Sequence, residues 1–87
     1  MKQQQSEEFP VTITNAEERI WEGVAESVSS KNSAGKFDIL PGHANFVTMI
    51  KNEPIIVRTR MKRDQIFTYK TAVLSVKNNK VAIYSDI

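Results

Sequence analysis

The chain is written in short apolar runs of period two, each stopped by a turn signal within about ten residues. Phe9, Val11 and Ile13 alternate with Pro10, Thr12 and Thr14, the pattern of a half-buried strand. Pro10 donates no backbone hydrogen bond, which places it at a strand start or on an edge. Phe37–Leu40 is a short apolar run halted by the turn dipeptide Pro41-Gly42, and Phe46, Val47, Met49 and Ile50 form the next one. Pro54 opens a strand with Ile55, Val57, Thr59 and Met61 on one face and Ile56, Arg58, Arg60 and Lys62 on the other. Residues 62–65 read as a hairpin turn, and Ile66–Val76 is rich in β-branched and aromatic residues. Asn78-Asn79 joins that run to Val81–Ser85, since paired asparagines tolerate the positive φ of a two-residue hairpin turn. Such spacing predicts an all-β sandwich or barrel, with no internal repeat and no second domain.

Two stretches resist this reading. In residues 15–28, Ile20, Trp21, Val24, Ala25 and Val28 fall on one face of a 3.6-residue period, and Asn15 with Glu18 three residues later has the form of a capping box. Against the helix, Gly23 sits in its middle and weakens it by about 1 kcal/mol. The β alternative makes residues 15–18 a connection and Ile20–Ser29 a strand with a bulge near Gly23. Pattern leaves both open. The second stretch, Ser29–Lys36, is small and polar and reads as a loop.

Size and composition limit what such a domain can do. At 87 residues, folding buries only roughly 60–65% of the unfolded surface, enough for one modest core. There is no cysteine, which excludes disulfides, thiolate metal sites and a cysteine nucleophile, and which favours a cytosolic location. No apolar run approaches the roughly 18–20 residues that span a bilayer. Residues 1–8 are polar and are expected to form a disordered tail, with the folded domain at 9–87.

Little chemistry fits. His43 is the only histidine, too few ligands for a metal centre, and neither a P-loop nor a nucleophile elbow is present. No catalytic residue, metal site or cofactor is therefore assigned. The net charge of +2 hides an asymmetry: residues 1–26 hold two basic and six acidic side chains, residues 27–87 ten basic and four acidic. Arg58, Arg60, Lys62 and Arg63 would form a basic stripe about 13–14 Å long on one side of a strand. That stripe carries the alternative of a small nucleic-acid-binding β-barrel, against an ordinary solvated edge or a generic interaction scaffold.

The segment Phe37-Asp38-Ile39-Leu40-Pro41-Gly42-His43-Ala44 shifts the balance. It resembles the Ile/Leu-x-Pro-Gly-His-Ala signature of the epsilon subunit of F-type ATP synthases, called delta in mitochondria. The flanks are similar in order and spacing: Trp21-Glu22-Gly23-Val24, Gly35, Phe46–Lys51 followed by Glu53–Val57, and Leu74–Asp86. The resemblance implies a flattened antiparallel sandwich of about ten short strands, with strands rather than a helix at 15–28. It implies a non-catalytic rotor subunit of the central stalk, binding the gamma subunit and the polar loops of the c-ring and coupling ion-driven rotation to ATP synthesis. No nucleic acid is expected as a partner. Membrane association would come only through the complex, on the cytoplasmic face of the inner or plasma membrane.

Carried over by position, the partner-binding residues are Gly35, Lys36, Phe37, Asp38, Leu40, Pro41, Gly42 and His43. Lys36 stands where relatives can have an acidic residue, and Asp38 where a small residue is usual. His43 is expected at the turn, facing a partner or holding the loop. Thr71-Ala72 replace a common Gly-Gly pair. Relatives commonly continue into a C-terminal helical hairpin, whereas this sequence reaches Ile87 without one.

Overall fold

The computed structural model describes residues 8–61 and 63–86. Of the expected tail at 1–8, all but Glu8 lies outside them. Among the described residues nine strands are formed: β1 Phe9–Thr14, β2 Arg19–Ala25, β3 Ser27–Asn32, β4 Gly35–Ile39, β5 Phe46–Ile50, β6 Pro54–Arg58, β7 Asp64–Thr68, β8 Ala72–Lys77 and β9 Lys80–Ser85. They pair as a five-stranded sheet, β2-β1-β9-β8-β5, and a four-stranded sheet, β4-β3-β6-β7. The sandwich predicted from sequence is present. Its ladders are antiparallel except that β1 runs parallel to β9, Val11 opposite Val81 through Thr14 opposite Tyr84. That exception joins the two ends of the chain, a non-local pairing on which turn signals are silent. Ser85, fully buried, tightens the seam by donating its hydroxyl to the Thr14 carbonyl at 3.3 Å.

Period two fills the core. Phe9, Val11, Ile13, Leu74 and Ile83 from the larger sheet meet Val28, Ile39, Ile55 and Val57 from the smaller, each at most 1% exposed. Burial of side chains this size stabilises by roughly 1.5–3 kcal/mol each before the entropy of ordering them is set against it. Aromatic pairs close both open sides between the edge strands. Trp21 on β2 lies 6.1 Å from Phe67 on β7, and Phe37 on β4 lies 5.5 Å from Phe46 on β5, edge to face.

Residues 15–28 are strand, turn and corner. Asn15 does cap, but in a hairpin connection: its Oδ1 accepts the amides of Glu17 and Glu18 at 2.8 and 2.9 Å. The helical periodicity merged two sheet faces, because Trp21 and Ala25 turn inward while Ile20 and Val24 are 36% and 49% exposed. The bulge expected near Gly23 falls elsewhere. Gly23 pairs regularly with Val11, whereas Ile13 faces Trp21 and Thr14 faces Arg19, so Ile20 is the extra residue. At Glu26 the chain passes from one sheet to the other, and the Glu26 amide continues the β3–β6 ladder by donating to the Arg58 carbonyl at 2.7 Å.

The expected loop at Ser29–Lys36 is largely strand. β3 is a central strand, paired to β4 on one side and β6 on the other, and only Ser33-Ala34 turn. Ser30 is buried and its hydroxyl has a partner, donating to the Pro54 carbonyl at 2.9 Å. Tertiary pairing here overrides a composition that favours turns. The run Ile66–Val76 divides into β7 and β8, which belong to different sheets. Asn78 and Asn79 adopt φ of 50° and 63°, as the two-residue hairpin turn requires.

Candidate partner-binding surfaces

The eight residues carried over by resemblance do not form one loop. Gly35 to Ile39 is β4, so Gly35 and Lys36 lie at one end of the sandwich and Leu40 to His43 at the other. The strand between them spans about 13–17 Å. Along it Lys36 and Asp38 face solvent, while Phe37 and Ile39 turn toward the core. The Asp38 carboxylate accepts the Ser29 hydroxyl from the neighbouring strand at 2.5 Å.

At the far end, Leu40-Pro41-Gly42-His43 is a turn closed by the His43 amide donating to the Leu40 carbonyl at 3.0 Å. Proline presets the second position, and Gly42 supplies the positive φ of 82° at the third, the requirement of a type II turn. Two asparagines bind this loop to the β8–β9 turn. Asn79 Oδ1 accepts the Gly42 amide at 2.7 Å, and Asn45 Oδ1 accepts the Asn78 amide at 3.0 Å. His43 is half-buried against Phe46, with ring centroids 5.6 Å apart. Its Nδ1 lies 2.7 Å from the Ala44 carbonyl. A carbonyl only accepts, so Nδ1 donates in this contact. The loop-holding role expected of His43 thus has a geometry, and Leu40, 55% exposed, stands on the turn beside it.

Among the described residues the basic side chains do not line up along one strand. β6 ends at Arg58, so the alternation that was to align Arg58, Arg60 and Lys62 stops at its first member. Arg58 faces Asp64 across the β6–β7 pair at 3.1 Å, and this hydrogen bond raises the arginine's pKa and lowers the aspartate's. Arg60 reaches Glu8 at 3.3 Å. Arg63 lies in the turn, its carbonyl accepting the Thr59 amide at 3.3 Å, and Lys62 is outside the described residues. Phe67 and Tyr69, on and just past β7, pack against the core. Burial, with Asp86 nearby, pushes the Tyr69 hydroxyl up. Among the described residues no cluster of three or more metal-ligating side chains occurs.

Sequence reasoning missed a larger surface, the outer face of the five-stranded sheet. Cross-strand register places Thr12, Ala82, Ser75 and Val47 in one row and Thr14, Tyr84, Val73 and Met49 in the next. No charged side chain stands in these eight positions across β1, β9, β8 and β5. Val47, Met49 and Tyr84 are 68%, 49% and 46% exposed. Charges border this face: Arg19 and Glu22 on edge strand β2, which pair at 2.9 Å, Lys51 just past the end of β5, and Lys77 and Lys80 beside the β8–β9 turn. In a chain with 25% charged residues, such a bare face is a candidate contact surface. The signal lay in the outward positions of four strands, and it is unreadable until the strand order is known.

Comparison with known proteins agrees with this architecture. The ATP synthase epsilon chain of Corynebacterium jeikeium is 26% identical over 80 residues, covering 91% of this chain and 65% of that protein. The epsilon chain of Streptomyces avermitilis is 22% identical over 80 residues, covering 92% of this chain and 64% of that one. The chain therefore spans a little under two thirds of these relatives. In fold it matches a chain of the Euglena gracilis mitochondrial ATP synthase (OSCP/F1/c-ring) with a TM-score of 0.84 and 15% identity, over 98% of this chain and 54% of that one. A chain of the Tetrahymena thermophila mitochondrial ATP synthase central stalk and c-ring gives 0.73 and 12%, over 90% and 63%. The family model of the ATP synthase delta/epsilon chain β-sandwich domain matches residues 8–87, and the chain belongs to that family.

Proposed function

We propose that this domain is a non-catalytic rotor component of an F-type ATP synthase. It binds the gamma subunit and the c-ring in the central stalk and so helps couple ion-driven rotation to ATP synthesis. It would lie at the cytoplasmic face of the membrane, held there only through the complex. Its work would be mechanical. A sandwich crossed by ladders in both sheets and closed by aromatic pairs at both sides is a stiff block, suited to passing torque between two partners.

The observation that carries this reading is the uncharged outer face of the five-stranded sheet. A lasting interface needs on the order of 1,200–2,000 Å² of total buried surface. The face formed by Thr12, Val47, Met49, Val73, Ser75, Ala82 and Tyr84, together with the Leu40–His43 end, supports an interface of that class. We assign the sheet face to the gamma subunit and the tips of the sandwich to the ring. Nothing supports the nucleic-acid alternative, whose stripe is broken by the end of β6 and by two ion pairs.

The test introduces charge where the face has none. Val47→Glu and Ser75→Glu occupy adjacent outward positions on β5 and β8. The double variant should keep the fold, yet lose about tenfold or more in affinity for the gamma subunit, because unpaired charge must be desolvated in the contact. Unchanged affinity, or no association of the parent chain at any low salt concentration, overturns the proposal.

A further inference from the structure

Lys36 and Asp38, the two charges of β4, have no ion-pair partner among the described residues. β4 is an edge strand, paired to β3 on one side only. Its register with β3 runs without a shift from Val28 opposite Ile39 to Asn32 opposite Gly35. Asn32 and Gly35 close the two-residue turn Ser33-Ala34, so they are a hydrogen-bonded pair. Alternation along the ladder makes Ser30–Phe37 and Val28–Ile39 hydrogen-bonded pairs, and Lys31–Lys36 and Ser29–Asp38 the intervening ones. The N–H and C=O groups of Lys36 and Asp38 therefore point away from β3, off the edge of the sheet. Among the described residues no turn or loop backbone bond reaches them.

The other edge strands do not share this arrangement. β2 bulges at Ile20, and its Arg19 and Glu22 pair with each other. Asp64, the one charge of β7, is held by Arg58 of the neighbouring strand. β5 carries no charge. On β4 the signs alternate instead, Lys36 and then Asp38, about 7 Å apart on the solvent face. That pattern is its own complement. Turned about a two-fold axis through Phe37, β4 sets Lys36 opposite Asp38 of a second copy, and Asp38 opposite its Lys36. Both are residues whose peptide groups point outward, so each cross-strand pair exchanges two N–H···O bonds. A slip of two residues in either direction brings Lys36 against Lys36 or Asp38 against Asp38, so the charges fix the register. The Ser29 hydroxyl holds the Asp38 carboxylate at 2.5 Å through Oδ1. Lys31 stands opposite Lys36 across the hairpin, a like-charge contact that a carboxylate arriving on the other side of Lys36 offsets.

We propose that the chain, free of other partners, forms a symmetric dimer by pairing β4 with β4 of a second copy. The two four-stranded sheets then become one of eight strands. Phe37 turns inward against Phe46 and leaves the joining edge clear. A contact of one short strand buries less than the roughly 1,200 Å² of a standard interface, so the dimer is transient and fills with concentration. It stands or falls independently of the rotor reading.

Sedimentation equilibrium of the 87-residue chain, from micromolar to millimolar concentration, should show a monomer–dimer equilibrium. Over that range the Lys36 and Asp38 amides should gain protection from hydrogen exchange, while the Phe37 amide, already bonded to β3, changes little. Lys36→Asp puts like charges at both contacts, as does Asp38→Lys, and each should weaken the dimer about tenfold. An equimolar mixture of the two variants restores opposite charges at both contacts and should recover the parent's affinity. A merely structural effect of either substitution is not cured by mixing. A parent chain that stays monomeric at millimolar concentration overturns the proposal. So does a dimer that both single variants keep at full strength, a mixture no tighter than the variants alone, or a dimer whose Lys36 and Asp38 amides stay unprotected.

Discussion

Trp21 lies across Gly23, two residues along the same edge strand, so closely that a β-carbon on Gly23 would stand 2.7 Å from Cη2 of the indole and 2.9 Å from Cζ2. Gly23 therefore serves the fold through space. It leaves β2 thin where the ring folds back on it, and the ring then reaches Phe67 of the opposing sheet at 6.1 Å. An aromatic side chain laid over a glycine also covers an edge strand that would otherwise expose bare backbone.

Gly23→Ala should consequently destabilise the domain, although alanine suits a strand better than glycine does. The ring must leave its seat, and the loss of the Trp21–Phe67 closure should cost about 1–3 kcal/mol. Denaturant unfolding followed by tryptophan emission reads both effects, since the displaced indole should emit at longer wavelength in the native state. A stabilised variant with unshifted emission would show that the ring is not held by the glycine.

Asn79 performs two tasks that substitution can separate. Its φ of 63° favours asparagine or glycine, and its side-chain oxygen accepts the Gly42 amide at 2.7 Å. Asn79→Gly keeps the backbone and loses the hydrogen bond, at about 0.5–1.5 kcal/mol. Asn79→Ala loses both, adding about 1–2 kcal/mol of left-handed strain. In each variant the Gly42 amide should exchange with solvent faster than in the parent. Equal stability of the two variants would mean that one of these tasks carries no weight.

What could be read in the sequence, and what could not, follows from the range of the interactions. The Pro41-Gly42 and Asn78-Asn79 turns were legible because their backbone requirement sits in the residues themselves. Strand β3 was not, because Ser29, Ser30, Lys31 and Asn32 are turn-favouring residues held extended by pairing: all four with β4 across a tight hairpin, and Ser29 also with Ile56 of the sequence-distant β6. Asn15 shows the same limit in another form: a side chain that caps two amides does so equally in a helix and in a tight connection. The candidate contact residues around Pro41 come from the resemblance alone. The bare face across β1, β9, β8 and β5 needed the parallel β1–β9 pair, which no local signal announces.

The Arg58–Asp64 pair makes the acid stability of the domain testable. The hydrogen bond from Arg58 holds the Asp64 carboxyl below the usual aspartate range. The folded state thus binds the proton less readily than the unfolded chain. The pair's contribution is full above the usual aspartate range and is lost as pH falls through the lowered native value. Asp64→Asn should flatten that part of the acid limb and change neutral-pH stability little, since both side chains are solvent-accessible. Urea midpoints taken across the acid range decide it, an unaltered limb counting against the pair.

The closure between β4 and β5 is where fold and proposed contact meet, because Phe46 touches both Phe37 and His43. Phe37 comes from the strand that links the two sandwich ends, and His43 from the turn that follows it. Phe37→Ala should cost about 2–3 kcal/mol, less than a fully buried phenylalanine, as the side chain is only partly enclosed. Phe46→Ala should cost at least as much, since it strips the packing from His43 as well. The edge-to-face pair implies coupling, so the double variant should be more stable than the sum of the single losses by about 0.5–1.5 kcal/mol. A histidine ring signal that moves in Phe46→Ala and stays in Phe37→Ala would place the His43 orientation under Phe46. Strict additivity, with the histidine signal unmoved in both, would mean that the aromatic cluster neither braces this edge as a unit nor sets the turn.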